Sequence, residues 1–351
     1  MGYLFALRRG TIMSRIENTT DFQQDLQHLF ELRAEHSSTR LQSLISSFEH
    51  SSHIPEFSDI CIFCAGSYAR LEASEYSDID LFFLSNKDKS FYADSYNVPT
   101  IRMMSEVVRI GDDLGFPKFS NDGQYLKILH LEDILSTLGG HEDDYTNNFT
   151  ARLLMILESK PIYGKTIYDD IIDQVIESYY RDYPDHEDHF RPNFLINDIS
   201  RFWKTLCLNY ENKRNQRDVD ADKKIKQKVK NFKLKFSRLS TCFSSIAYLT
   251  ALDIPCSKER VIEMIQLTPS SRLRAVPKFV PQTKDTINRA LESYHWFMER
   301  TNVPETDLYE YFENEENRRD AFGRASKFGG HIYEVLKTID EKNNSLRYLV
   351  V

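Results

Sequence analysis

The sequence predicts an α+β fold: a small sheet with flanking helices, followed by an all-helical domain. Three observations carry this. Two short apolar runs, Ile60 to Cys64 and Ile79 to Leu84, have the length and β-branched or aromatic content of buried strands. A third such run, Tyr125 to Leu129, follows an Asn121-Asp122-Gly123 turn signal. Elsewhere apolar residues recur at helical spacing, both before the first strand and through the C-terminal half. The expected division is a helical segment over 1–57, the sheet-bearing core over 58–165 and a helical domain over 166–351.

Taken in order, residues 14–50 carry two helical stripes. Phe22, Leu26, Leu29 and Phe30 form one, and Leu41, Leu44, Ile45 and Phe48 the other. His50 to Pro55 is a turn. The two strands come next, and then a helix over 100–114 with Met104, Val107, Val108 and Leu114 inward, stopped by Gly115-Phe116-Pro117. After the third strand, Gly139-Gly140 breaks the chain before a helix over 147–158. Arg152 on that helix reads as a surface residue, and Pro161 and Gly164 end the segment. Helical spacing resumes over 167–180. A polar loop from Asp182 to Pro192 holds His186 and His189. Leu195, Ile199, Phe202 and Leu206 mark the next helix. Further helices are expected over 241–252, 257–267, 283–300 and 306–340, the last broken at Gly329-Gly330.

The chain has 351 residues, 41% of them apolar, which is enough for a substantial core. Its net charge of −8 argues against wholesale coating of nucleic acid. One segment departs from this balance: residues 217–238 hold nine Lys or Arg above a stripe of Ile225, Val229, Phe232 and Phe236. It offers a surface for a nucleotide or an RNA acceptor, or else a solvated helix face; no aromatic RNA-binding motif accompanies it. The five cysteines are an odd number, consistent with reduced thiols. Cys61 and Cys64 form a CxxC, but residues three apart on a strand face opposite ways, which disfavours a shared metal. No apolar run has membrane-spanning length, and the opening MGYLFALRRG places its Arg pair after the apolar residues, the reverse of a secretory signal. A cytoplasmic protein without a membrane partner is expected.

The chemistry concentrates between Asp59 and Ser85. Gly66 ends the first strand where the backbone must turn sharply or approach a ligand closely. Ser67 supplies a hydroxyl at the start of a helical turn, where N–H groups attract phosphate. Asp78 and Asp80 lie two apart at the opening of the second strand, so their carboxylates project together. Two such groups repel unless a cation lies between them, and hard oxygen ligands suit Mg²⁺. An anion cradle opposite a divalent-metal clamp suits phosphoryl or nucleotidyl transfer. By contrast, Gly164-Lys165-Thr166 lacks the earlier glycine of a P-loop.

The segment GSYARLEASEYSDIDLFFL resembles the signature of the nucleotidyltransferase superfamily typified by DNA polymerase beta, and most of all the branch containing the PII-protein uridylyltransferase. The stretch Asn197 to Thr205 is similar to the helical region that follows the catalytic fold in that branch. The resemblance implies a mixed sheet, with Gly66 and Ser67 on the triphosphate of an NTP substrate and Asp78 and Asp80 on Mg²⁺ or Mn²⁺. It also implies a third carboxylate on a later strand, for which Asp122 is preferred over Glu132. Nucleotide-binding roles for Arg70, Arg201 and Lys204 follow from the same likeness. The acceptor is a hydroxyl on a protein, an RNA or a small molecule. The strand YLKIL itself holds no acid, so a weak or inactive protein that keeps the cleft as a nucleotide- or partner-binding module is the alternative. The chain contains no His-Asp dipeptide, so the metal hydrolase activity of that branch is not expected.

Overall fold

A four-stranded sheet lies between two helical layers. The computed structural model describes residues 19–87, 98–117, 119, 126–145, 147–215 and 221–350. The chain enters through α1 (Thr19–Glu49) and then forms β1 (Ile60–Ala65), the one-turn helix α2 (Gly66–Ala69) and β2 (Asp80–Ser85). Next come α3 (Val98–Asp113), β3 (Ile128–His130), α4 (Leu131–Ser136), α5 (Glu142–Tyr145), α6 (Asn148–Leu157) and β4 (Ser159–Tyr163). The strand order is β3-β2-β1-β4. β1 is antiparallel to both β2 and β4, whereas β2 and β3 are parallel, so the sheet is mixed.

Every residue of β1 is buried, which explains its unbroken apolar run. Its alternate side chains enter different cores. Cys61, Phe63 and Ala65 join Phe82 and Leu84 on one face, where Phe63 stacks on Phe82 at 5.3 Å. Ile60, Ile62 and Cys64 join Leu81 and Phe83 on the other, covered by Leu41, Leu44 and Phe48 of α1 and by Met103, Val107 and Ile110 of α3. Cys61 and Cys64 therefore sit in separate cores, each thiol pushed up to about 12, chiefly by burial. The Asn121-Asp122-Gly123 turn and Tyr125 lie outside the described residues. β3 follows them and is shorter than the expected strand. β4 is a strand the sequence did not announce, because Pro161 and Gly164 read as breakers. It is an edge strand, where a missing N–H is tolerated. Gly164 has φ +65, and a Cβ there would meet Ile60 O at 2.5 Å.

The remaining chain is helical: α7 (Lys165–Tyr179), α8 (Asn193–Arg214), α9 (Ala221–Lys233), α10 (Leu239–Ala251), α11 (Lys258–Gln266) and α12 (Pro269–Ala275), then α13 (Lys284–Arg300), α14 (Glu305–Glu313), α15 (Glu315–Asn343) and α16 (Arg347–Val350). A π-helical turn, Leu234–Arg238, joins α9 to α10. The core on the Phe63 face continues into this region through Leu195, Phe202, Phe232, Phe236 and Phe297. α15 runs unbroken through Gly329-Gly330. Burial of Ala325, Phe328, Ile332 and Val335 outweighs the cost of about 1 kcal/mol per glycine. The expected helix over 306–340 is two helices, parted at Asn314, whose side chain accepts from Asn317 N at 3.0 Å. None of the described helices is long and apolar enough to cross a membrane.

Candidate functional site

The end of β1 and the start of β2 face each other. Ala65 pairs with Asp80, and Gly66 follows at once with φ +76. A Cβ on Gly66 would lie 3.4 Å from Asp80 Oδ2. Glycine thus serves two needs here, a left-handed backbone and room for the carboxylate beside it. The one-turn helix α2 closes with Arg70 N donating to Gly66 O at 3.0 Å, and Leu71 then reverses the chain at φ 59.

The loop back to β2 is pinned rather than loose. Ala73 N donates to Ser37 Oγ of α1 at 3.0 Å. Ser77 N donates to Ser74 O at 3.1 Å, and Ser74 N donates back to Ser77 Oγ at 3.0 Å. Ile79 is buried in the core that holds Cys64. β2 begins at Asp80, whose side chain lies on the face opposite Leu81, while Asp78 stands in the loop just before the strand. Asp78 is exposed, Asp80 and Ser67 are half-buried, and Gly66 is buried. After burial, the larger cause in each case, Asp78 helps raise the Tyr68 phenol and Asp80 the Cys64 thiol. The structure therefore brings Gly66, Ser67, Asp78 and Asp80 to one corner of the sheet.

The other predicted residues lie in different settings. Asp122 is outside the described residues. Glu132 follows His130, which pairs with Ser85 at the far end of β2 from Asp80, so it is no neighbour of the aspartate pair. Lys204 is exposed on α8, and Lys127 is exposed just before β3.

Arg70 is buried and held by protein carboxylates: its Nε donates to Glu72 at 2.8 Å and its Nη1 to Glu158 at 2.7 Å. Arg238, from the π-helical turn, pairs with Glu158 as well. Tyr294 of α13 donates to Glu72 at 2.8 Å, and Thr241 of α10 donates to Glu158 at 2.7 Å. Burial alone would lower the Arg70 pKa, but the Glu72 charge and Tyr294 outweigh it and hold it up. This network bolts the loop after Gly66 to the helical region, so Arg70 braces that loop.

Arg201 belongs to a second network. It bonds Asp143 at 2.8 Å, pairs with Asp198 at 3.3 Å and lies 3.8 Å over the Phe149 ring. The same two carboxylates hold Arg152, which is fully buried and not on the surface as its sequence position suggested. Tyr179 completes the cluster, donating to Asp198 at 2.6 Å. One signal was available: Arg152 sits in NFTARLLMIL, a helix apolar on nearly every side, where an arginine is enclosed and must be paired.

Among the described residues no three or more His, Cys, Asp or Glu side chains gather into a metal-binding group. The corner at Gly66 thus provides two carboxylates, an oxygen donor set that fits Mg²⁺ completed by substrate phosphate and water. In comparisons with known proteins, no curated protein matched the chain. Residues 51–163, which take in all four strands and the Gly66–Asp80 corner, match the family model of the nucleotidyltransferase domain.

Proposed function

We propose that the protein moves a nucleoside monophosphate from an NTP to a hydroxyl acceptor, with pyrophosphate as the leaving group. The observation that carries this reading is Asp80 Oδ2 resting against the Gly66 bend, with Asp78 exposed beside it. Mg²⁺ or Mn²⁺ held by Asp78 and Asp80 would neutralise the triphosphate and polarise the α-phosphorus. Gly66 lets the triphosphate approach the backbone, and the Ser67 hydroxyl donates to a phosphate oxygen. The acceptor oxygen attacks the α-phosphorus in line as the bond to the β-phosphate oxygen breaks. Asp122 is proposed to complete the carboxylate set. β3 runs parallel to β2, so Leu126 and Lys127, which precede it, lie toward the Asp80 end of β2 and the chain after His130 lies away from it. Lys204 is retained as a contact for the triphosphate, while Arg70 and Arg201 are engaged within the protein. Kinship with the uridylyltransferase branch and a cytoplasmic location belong to the same proposal.

The test is incubation with each α-labelled NTP, Mg²⁺ or Mn²⁺, and protein, RNA and small-molecule acceptors, with pyrophosphate followed in parallel. Label transfer that disappears in Asp78→Asn/Asp80→Asn supports the assignment; transfer unchanged in that variant overturns it. A second reading, an NTP-binding module without turnover, is favoured by the absence of a third carboxylate beside Asp78 and Asp80 among the described residues. Calorimetric NTP binding with no label transfer to any acceptor would select it.

A further inference from the structure

The most basic stretch of the chain forms one wall of a cavity of about 570 Å³ among the helices of the C-terminal region. Among the described residues five cations line it: Arg214 from α8, Lys224 and Lys228 from α9, and Arg318 and Arg319 from α15. Glu315 is the one acidic lining residue among them. The other lining groups are the rings of Tyr210 and Phe322 and the amides of Gln227 and Asn231. All come from helices after residue 192, and none from the sheet.

Three features separate this cavity from an ordinary solvated helix face. First, α9 divides its surface by helical spacing. Val229, Phe232 and, at the start of the π-helical turn's packing, Phe236 are buried, whereas Lys224, Gln227, Lys228 and Asn231 line the cavity. Lys226, Lys230 and Lys233 are exposed on a different face of the helix and take no part in the cavity. Second, cations from separate helices are held close together. Burial, and then the nearby Arg318 and Lys224 charges, lower the Lys228 pKa against the opposing pull of Glu315. Like charges gathered this way are stabilised by an anionic ligand. Third, several lining groups are fixed in place. Arg318 donates to Phe312 O at 3.0 Å, and Arg319 donates to Glu315 at 3.0 Å.

We propose that this cavity binds a single-stranded nucleic acid. The cations would hold successive phosphates, and Tyr210 and Phe322 would offer rings for base stacking, the combination that binds single strands with little sequence preference. The role of that strand as the hydroxyl acceptor rests on the transferase reading above; its binding does not. A cavity of this size takes one or two nucleotides.

The experiment measures anisotropy of a labelled oligouridylate and of its deoxy counterpart across a salt series, without NTP. Wild-type protein should bind at low salt. Lys224→Gln/Lys228→Gln should weaken binding by about tenfold and reduce the salt slope by roughly 1.4, at about 0.7 per cation. Lys327→Gln/Lys337→Gln, an equal charge change elsewhere on α15, should leave binding within about twofold. Preference for one oligonucleotide identifies which strand the site takes. The proposal is overturned if neither is retained at low salt, if both double variants weaken binding equally, or if ATP alone or an acidic peptide binds as tightly as the oligonucleotides. Asp78→Asn/Asp80→Asn should bind normally, so failure of the acceptor site and failure of the catalytic assignment give different results.

Discussion

The chain contains two pairs of aspartates with opposite surroundings. Asp143 and Asp198 are buried and gripped by Arg152 and Arg201, with Tyr179 and the Gly139 N–H filling further positions. Asp78 and Asp80 stand at a corner of the sheet, the first exposed and the second half-buried, against a glycine bend. The first pair has its counter-charge built into the fold, because a buried carboxylate without one would be too costly. The second pair keeps access to solvent, and so to a substrate. The difference separates an acidic cluster that holds the structure from one suited to chemistry.

Mutating each pair in the same manner sharpens the contrast. The largest effect belongs to the open pair. Asp78→Asn/Asp80→Asn should lower nucleotidyl transfer by about a thousandfold or more, equivalent to several kcal/mol of transition-state stabilisation. Its urea midpoint should stay near that of the wild type. At the closed pair, Arg152→Ala should lower unfolding free energy by about 3–5 kcal/mol, read by urea denaturation, because two buried carboxylates lose their partner. A midpoint unmoved by that change would break the contrast.

Gly66→Ala comes next. An alanine held near φ +76 costs about 1–2 kcal/mol, and its Cβ would press on Asp80 Oδ2. Transfer should fall by about tenfold, with a modest loss of melting temperature in calorimetry. The smallest effect is acid sensitivity. Burial would raise the Asp143 carboxyl, but Arg152, Arg201 and the Gly139 N–H together hold it below its ordinary 3.8. A depressed folded pKa contributes stability above the unfolded value, and that contribution is lost as pH falls through the folded one. As pH falls below about 3.8 the wild type should lose stability that an Asp143→Asn variant does not lose over the same range, measured by pH-dependent denaturation.

The sequence carried more of the open pair than of the closed one. Gly66, Asp78 and Asp80 were legible because each breaks a strand pattern, and such breaks point to geometry or ligands. Asp143, Arg152 and Asp198 lie on α5, α6 and α8, and nothing local in sequence shows that three helices meet. The same reason hid the true setting of Arg70, whose partners come from residues 72 and 158 and whose network reaches residues 238, 241 and 294. β4 was missed because Pro161 signals a break, although at a sheet edge a proline costs no ladder bond. At Gly329-Gly330 local propensity pointed to a break, and tertiary packing on one face of α15 overrode it. The cavity beside α9 was half visible: its lysines stood out as a charge run, but Arg318 and Arg319 join them only through packing of distant helices.

The account turns on where a divalent ion and a triphosphate sit. Crystals grown with Mn²⁺ and a non-hydrolysable NTP analogue give a direct test through the anomalous signal of manganese. The account predicts a peak bridging the Asp78 and Asp80 carboxylates, with phosphate density over Gly66 and Ser67. A peak at any other carboxylates, with the Gly66 bend left empty while the analogue binds elsewhere, would contradict it.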